Sequence, residues 1–516
     1  MLGGCGCTPN GLMHRQNQKH SRMSKSKLTG EPVANNRRLA LGALATGLVN
    51  IIKVGLQLVL LPVMAHLLGP SEFGIYALAL PTVSLVGLLA DGGLGATLAR
   101  EPESSSLVWS SAFWFLFLTG IVLALGTSAF GMFMGYMVAQ PRVASMIAVL
   151  SLSIVFLVLA VPPNARLARR KNLGIGAAAE LGANLSGAAV AIILGLKGAG
   201  AWSLVAQYLA VYAVRAVILN LAAFNLPKFE FSFDVVRTHL ASGGLIVVSR
   251  LVDYSSRVGE SVLVDRIFGT PILGSYTFAN QISKFAGDAV SNVAWATMYV
   301  QALTSDRHSA SEIHRKLCRL VSVILFPTTF LAAAAAPELV TSLLGPKWVE
   351  LSPLLRILLP IAAFSTVANL VTAVLLAINR FEVAFWCAVG LSLGRLLAVF
   401  AGIWIGLLGA VYGVACVTLL YSAALLFYAE PLTGCHPVAM LRGLVGPTIS
   451  SLAAAGCCLL LLHLSEAGLG STIASLVIGA GVFAGCMLVI DRKGLTEDWK
   501  TLRRIIANPK ISDEQG

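Results

Sequence analysis

The sequence predicts an all-α polytopic membrane protein with about fourteen transmembrane helices, because of its composition, its long apolar runs and its short connections. Hydrophobic residues make up 57% of the 516 residues, charged residues only 12%, and the mean hydropathy is +0.81. Soluble domains carry roughly 25% charged residues. This composition excludes a soluble enzyme, a disordered chain and a nucleic-acid-binding domain. The net charge of +13 is therefore interpreted first as a signal of membrane topology.

Helical spans are expected wherever about 20 mostly apolar residues follow one another. Such runs lie at 39–66, 73–98, 107–134, 143–165, 175–196, 201–224, 241–265, 272–300, 317–336, 354–378, 383–404, 407–429, 438–463 and 468–490. The connections between these runs are short, so we expect no extramembrane domain.

The distribution of Lys and Arg predicts the orientation. An even number of spans places both termini on the same side of the membrane. Most Lys and Arg lie in the two tails, 1–38 and 491–516, and in the even-numbered connections, with clusters at 166–171 and 315–319. The odd-numbered connections carry only Arg142, Lys197, Arg266 and Lys347. Since basic residues stay in the cytoplasm, this bias predicts a bacterial inner (plasma) membrane protein with both termini inside.

The seventh span is unusual because it carries five charges. They are Arg250, Asp253, Arg257, Glu260 and Asp265. Each charge at a helix centre costs roughly 2.5–3.5 kcal/mol on insertion scales. At 100° per residue, however, the first four fall within an arc of about 80°. We therefore expect one polar stripe that faces a water-filled interior.

An internal repeat is visible at an offset of 200 residues. Segment 67–79 aligns without gaps with segment 267–279, and a third fragment at 343–348 resembles the first. The identical pairs are Gly69/Gly269, Gly74/Gly274, Tyr76/Tyr276 and Ala79/Ala279. The same offset maps the polar residues Asn50, Lys53 and Gln57 of the first span onto Arg250, Asp253 and Arg257. Two features at one offset predict a duplication of about six spans.

The duplication predicts two pseudo-symmetric six-helix lobes around a central cavity, followed by two additional helices. The expected units are a basic cytoplasmic tail (1–38), an N-lobe (39–224), a cytoplasmic linker (225–240), a C-lobe (241–429), spans thirteen and fourteen (430–490) and a cytoplasmic tail (491–516).

Polar residues within the spans are the candidate site. The candidates for substrate binding are Asn50, Lys53, Gln57, Arg250, Arg257, Gln281 and Lys284. Lys and Arg suit phosphate oxygens, and the amides suit sugar hydroxyls, so we expect an anionic, hydroxyl-rich substrate. The candidates for proton coupling are Asp91, Asp253, Glu260 and Asp288. Arg215, Arg356, Arg395, Glu180 and Asp265 complete the charged residues inside spans.

A second interpretation is that these charges only neutralise one another. Suitable i,i+3 and i,i+4 pairs are Arg250–Asp253, Asp253–Arg257, Arg257–Glu260 and Lys284–Asp288. Asp91 has two candidate partners, Lys53 across the helices and Arg100 at the membrane edge. Arg356 and Arg395 either extend to an interface or point inward.

Motifs for catalysis or cofactors are not evident. The sequence has no phosphate-binding GxxxxGK[ST] loop, and its eight His and nine Cys show no metal-ligand spacing. We therefore expect no enzyme activity, no metal and no cofactor.

Three segments carry a family resemblance: LLGPSEFGIYALA at 67–79, Asp-Gly-Gly-Leu at 91–94 followed by Arg100, and LLGPKWVELSPLLRILLP at 343–360. They resemble the polysaccharide transporter (Wzx-type) flippases of the MOP superfamily, in the exopolysaccharide/colanic-acid exporter branch. The resemblance covers about residues 39–490. Lys53, Arg250 and Arg257 lie where cationic cavity residues of that family would be expected.

This resemblance implies a flippase that moves an undecaprenyl-diphosphate-linked oligosaccharide across the inner membrane by alternating access. Such a protein would serve exopolysaccharide, O-antigen or capsule biosynthesis. Its partners would be the lipid-linked substrate, membrane lipids, and the polysaccharide polymerase and chain-length machinery, with no nucleic acid. Two alternatives stay open: an ion-coupled multidrug (MATE-like) exporter and a peptidoglycan lipid-precursor flippase. A cation exporter would require acids in excess, whereas bases and acids within these spans nearly balance.

Overall fold

The computed structural model describes residues 31–494 with short gaps. The gaps are 92–93, 99–104, 171, 224–226, 235, 237–243, 305–306, 379, 434–436, 466–467 and 493. Within the described residues every regular element is a helix. The all-α fold class predicted from the sequence is confirmed.

The described residues of the first half of the chain form seven helices. They are α1 (Glu31–Leu68), α2 (Pro70–Asp91), α3 (Leu94–Leu98), α4 (Ser106–Met137), α5 (Pro141–Arg169), α6 (Leu173–Leu196) and α7 (Trp202–Ala222). The second predicted span corresponds to α2 and the short α3 together.

The second half continues in the same manner. Its helices are α8 (Gly244–Phe268), α9 (Thr270–Thr304), α10 (Arg307–Ala334), α11 (Ala336–Leu343), α12 (Leu351–Ala377), α13 (Phe381–Gly402), α14 (Leu407–Thr433), α15 (Pro437–Leu464) and α16 (Leu469–Ile490). Two short 3-10 turns, Pro346–Trp348 and Ile403–Ile405, precede α12 and α14. Each of the fourteen predicted spans thus lies on helical structure.

Ten of the described helices are long and apolar enough to cross a membrane by length and composition: α4 to α7, α10 and α12 to α16. Helices α1 and α2 meet that criterion as a pair, bent by 116° between Leu68 and Pro70. Gly69, between them, has a φ of 77°, a conformation that favours glycine. Helix α8 carries the charged stripe and α9 carries Lys284 and Asp288, and these charges lower the hydropathy of the two helices. The count of fourteen crossings stays a prediction.

Helix packing follows the repeat. In the first half α1 packs on α6, α2 on α5, α4 on α5, α5 on α7 and α6 on α7. In the second half α8 packs on α13, α9 on α12, α10 on α12, α12 on α14 and α13 on α14. The two sets pair the same spans six positions apart. This correspondence supports the proposed duplication and its lobes, 39–224 and 241–429.

The last two helices, α15 and α16, and the linker between the lobes contact the repeated helices. Helix α15 packs on α10 and on α16, outside the repeat. Arg319 of α10 forms an ion pair with Asp491 after α16, at 2.7 Å. The described part of the linker lies along α4, where the indole of Trp114 donates a hydrogen bond to the carbonyl oxygen of Lys228 at 2.9 Å. Helix α2 of the N-lobe packs on both α8 and α9 of the C-lobe.

Candidate functional site

The polar stripe of α8 forms ion pairs within its lobe. Arg257 Nε lies 3.1 Å from Asp253 Oδ2, which is one of the i,i+4 pairs that the sequence offers. Ser392 Oγ of α13 donates to Asp253 Oδ1 at 3.3 Å. Both charged side chains remain partly exposed. Because an exposed charge at membrane depth requires water, this stripe is suited to line a hydrated cavity.

Glu260, one helical turn further along α8, is buried and contacts two other helices. Its side chain is only 7% exposed. Arg395 of α13 approaches both carboxylate oxygens at 3.4 Å, and the hydroxyl of Tyr276 on α9 donates to Oε2 at 3.3 Å. Arg395 therefore points inward, and the partner of Glu260 is Arg395, not Arg257 as the helix spacing allows. This cluster ties α8, α9 and α13 together.

The N-lobe contains a three-residue charge cluster that sequence spacing does not group. Lys53 Nζ of α1 lies 2.7 Å from Glu180 Oε1 of α6, and Arg215 Nη1 of α7 lies 3.3 Å from Glu180 Oε2. The side chains are 33%, 24% and 37% exposed for Lys53, Glu180 and Arg215. Lys53 thus has Glu180 as a partner, whereas the side chain of the other candidate, Asp91, lies outside the described residues. We define these residues as the N-lobe triad.

The depth of the triad follows from helix geometry. At 1.5 Å per residue, Lys53 lies about 22 Å from the end of α1 at Leu68, in a hydrocarbon core about 30 Å thick. Glu180 lies about 10 Å from the beginning of α6, and Arg215 lies about 10 Å from the end of α7. Both of these helix ends are at the side of the membrane opposite to Leu68. The triad therefore sits within the membrane, on the side predicted to be cytoplasmic.

The other predicted site residues are not all brought together. Gln57 is exposed on α1, and Gln281 and Lys284 are exposed on α9. The remaining candidates lie on helices, but their side chains fall outside the described residues; they are Asn50, Asp91, Arg250 and Asp288.

An aromatic cluster closes the opposite face between the lobes. Trp348, in the turn before α12, is completely buried, and its indole donates to the carbonyl oxygen of Ala65 at 3.0 Å. Its ring centroid lies 5.5 Å from that of Phe73 and 4.6 Å from that of Phe278. Since these residues come from both lobes and all lie near odd-numbered connections, the lobes are joined at the face predicted to be periplasmic.

Two repeat-related glycines make this closure possible. A Cβ atom on Gly74 would collide with the carbonyl oxygen of Thr270, and one on Gly274 would collide with that of Pro70. Helices α2 and α9 therefore cross with backbone against backbone at equivalent positions of the two repeats. No larger residue fits there without moving the helices apart.

Polar contacts between the connections complete the closed face. Glu72 accepts two hydrogen bonds from Arg142, at 3.0 and 2.9 Å, and a third from the backbone N–H of Ala201 at 2.6 Å. Gln140 donates to Thr270 Oγ1, which in turn donates to Asp265 at 2.8 Å. The hydrogen bonds of Glu72 hold three connections of the N-lobe together. The hydrogen bond between Gln140 and Thr270 joins the N-lobe to the C-lobe.

Sequence reasoning missed the Lys53–Glu180–Arg215 triad and the role of Trp348. The signal for the triad was that Glu180 and Arg215 lie inside neighbouring spans. Only the packing of α6 on α7 shows that the two side chains meet. The signal for Trp348 was the fragment at 343–348, which repeats the Leu-Leu-Gly-Pro of the first connection.

Two similar helical lobes, charges paired at membrane depth and a closure at one face define a membrane transporter. Comparison with solved structures agrees on the fold. The lipid II flippase MurJ, in an inward closed conformation, aligns with a TM-score of 0.73 at 12% identity, over 87% of this chain and 99% of that chain. An inward-facing multidrug resistance MATE family transporter of the MOP superfamily aligns at 0.55 and 15% identity, over 78% and 95%.

Residues 63–353 match the family described as polysaccharide biosynthesis protein. This match covers more than half of the chain, and the chain belongs to that family. The resemblance to polysaccharide transporters is thereby confirmed.

Two proteins similar to this chain have names that refer to polysaccharide biosynthesis. The succinoglycan biosynthesis transport protein ExoT of Rhizobium meliloti (strain 1021) is 25% identical over 336 residues, 65% of this chain and 68% of the relative. The lipopolysaccharide biosynthesis protein WzxC of Escherichia coli (strain K12) is 22% identical over 350 residues, 67% and 71% of the two chains.

Proposed function

We propose that this protein is a flippase that moves an undecaprenyl-diphosphate-linked oligosaccharide across the bacterial inner membrane, for exopolysaccharide, O-antigen or capsule biosynthesis. The proposal rests on charges paired at membrane depth in both lobes, below a face at which the lobes are joined. Family membership and the names of ExoT and WzxC support the class of substrate.

The physical difficulty of this reaction is moving a charged, hydrated head group through hydrocarbon. Half-exposed Lys and Arg side chains within the spans are stable only where water reaches them, so they suit an aqueous cavity. The diphosphate and sugars would occupy that cavity while the polyprenyl chain stays in lipid between the lobes. Opening the joined face while closing the other would then expose the head group to the second side.

Each group of residues has a role in this proposal. Lys53, Arg250, Arg257 and Lys284 are proposed to contact the diphosphate, with the planar guanidinium groups able to bind two oxygens at once. Asn50, Gln57 and Gln281 are proposed to hydrogen-bond sugar hydroxyls. Asp91, Asp253, Glu260 and Asp288 are the candidates for taking up and releasing protons during the cycle.

The orientation and partners also belong to the proposal. The positive charge of the two tails and even-numbered connections supports cytoplasmic termini. With that orientation the aromatic cluster lies at the periplasmic face and the structure is closed there. A polysaccharide polymerase and chain-length machinery would receive the product after release on that side.

The first test is complementation of a strain that lacks this protein. We expect Arg257→Ala to reduce exported polysaccharide strongly, because it removes a cation from the cavity. The matched control is Arg266→Ala, on the same helix but exposed at the predicted periplasmic connection. Exported polysaccharide and the amount of protein in the membrane are measured together.

Complementation by Arg257→Ala at the level of the unaltered protein would contradict the cavity assignment. A gain of resistance to lipophilic cationic dyes, without any polysaccharide phenotype, would instead favour the multidrug exporter. Rescue of peptidoglycan precursor transport alone would favour the lipid-precursor flippase.

A further inference from the structure

Glu180 is placed between two bases that come from two other helices. One carboxylate oxygen contacts Lys53 at 2.7 Å and the other lies 3.3 Å from Arg215. Both oxygens are therefore engaged, each with a different helix. All three side chains keep between about a quarter and two fifths of their surface exposed, so they are accessible to a ligand.

The acid has a clear role in the empty protein. Two bases side by side within the membrane repel each other, and each is expensive without a counter-ion. One carboxylate between them compensates one of the two charges and supplies two acceptor oxygens. The empty triad thus keeps a net charge of +1, counted from its two bases and one acid.

The same acid becomes a competitor when an anion arrives. A diphosphate that links a lipid to a sugar carries about two negative charges at neutral pH, which match the two bases without Glu180. A phosphate diester carries about one negative charge. It therefore compensates the two bases no better than the single carboxylate of Glu180 does. A diphosphate and Glu180 together would place three negative charges against two positive ones, so the ligand and the carboxylate repel each other and compete for the two bases.

We propose that Glu180 is a built-in counter-ion that holds Lys53 and Arg215 in the empty protein and is displaced by the diphosphate of the lipid-linked substrate. This inference rests on the proposed function and adds Arg215 and Glu180 to the residues that determine specificity. Return of Glu180 to the two bases would assist release of the head group on the far side. Affinity is thereby kept low enough for turnover.

The test measures binding to the purified full-length protein in lipid nanodiscs. The probes are the methyl esters of farnesyl diphosphate and farnesyl monophosphate, which share the lipid and carry about two and about one negative charge at neutral pH. For Glu180→Gln we expect about tenfold tighter binding of the diphosphate, the change expected from removing one competing charge contact. Binding of the monophosphate should change much less. The control is Glu350→Gln, the same substitution on an exposed connection, which should change neither.

A double variant separates competition from a general change in charge. In Lys53→Gln/Glu180→Gln the base that Glu180 contacts most closely is also gone, so the gain in diphosphate affinity should disappear. A gain that persists in the double variant would overturn the inference. So would unchanged or weaker diphosphate binding by Glu180→Gln in folded protein.

A second variant covers the case in which Glu180→Gln does not fold. Glu180→Asp keeps the charge but is one methylene shorter and cannot bridge both bases at the present distances. It should tighten diphosphate binding by a smaller factor, and unchanged or weaker binding would overturn the inference.

Failure of this inference is distinguishable from failure of the proposed function. If the unaltered protein binds the diphosphate probe and the variants do not change that binding, only the role of Glu180 is wrong. If the unaltered protein binds tetraphenylphosphonium and not the diphosphate probe, the flippase proposal fails as well.

Discussion

Arg395 and Glu260 show how a charge in this membrane protein is held by another helix instead of by its own. The pair is largely buried, and Tyr276 completes the contacts of the carboxylate. Burying two charges is costly, and their attraction offsets that cost only while both are present. The intact pair therefore contributes little to the net free energy of folding, whereas the loss of one partner is strongly destabilising.

At this residue pair we expect Arg395→Met to destabilise the protein by about 3–5 kcal/mol, because it leaves the Glu260 carboxylate buried and unpaired. The double variant Glu260→Gln/Arg395→Met should recover much of that loss. Thermal unfolding of the purified protein in detergent measures both. A single variant as stable as the unaltered protein would show that water already reaches Glu260.

Local spacing determines which site contacts could be predicted. Asp253 and Arg257 are one turn apart on one helix, so their pairing follows from sequence spacing alone, and the structure has it. Glu180 meets Lys53 and Arg215 only because α6 packs against both α1 and α7. Contacts of the second kind depend on tertiary packing, which helical periodicity does not contain.

At the scale of elements, the crossing of α2 and α9 is one of the features that join the lobes. The glycines of the repeat, Gly74 and Gly274, were visible in the sequence, but their contact was not. Glycine is required at both positions since each faces a backbone carbonyl of the other helix. The repeat thus places the same small residue on both sides of a pseudo-twofold contact.

We expect Gly274→Ala to lower the free energy of unfolding by about 1–3 kcal/mol and to reduce export, because the added methyl group pushes α2 and α9 apart. Gly55→Ala is the control, since a Cβ there meets no described neighbour within 4 Å. Thermal unfolding and complementation provide the two measurements. Unaltered stability and export in Gly274→Ala would mean that the lobes are not joined at this crossing.

At the scale of the whole molecule, the fold class and the helical character of the predicted spans could be predicted from the sequence, because so many apolar runs of membrane length rarely occur in soluble proteins. The packing of the lobes could be expected only in outline, from the repeat. The closure by Trp348 could not, because it depends on contacts between segments 283 residues apart in the chain.

We propose that the closed aromatic face and the charges beneath it correspond to one stage of an alternating-access cycle. With the proposed orientation, the periplasmic side is closed and the paired bases lie near the cytoplasmic side, where a lipid-linked substrate is synthesised. In the proposed cycle the lobes separate at the aromatic cluster, and transfer of the head group then depends on bases in both lobes.

The most direct test is translocation of a fluorescent undecaprenyl-diphosphate oligosaccharide in vesicles that contain the purified protein. The measured quantity is the fraction of substrate that becomes accessible on the opposite leaflet. We expect the unaltered protein to accelerate translocation and Lys53→Ala/Arg257→Ala to lose at least tenfold of that acceleration, about 1.4 kcal/mol in the barrier. No acceleration by the unaltered protein, or equal acceleration by the double variant, would contradict the proposed flippase mechanism.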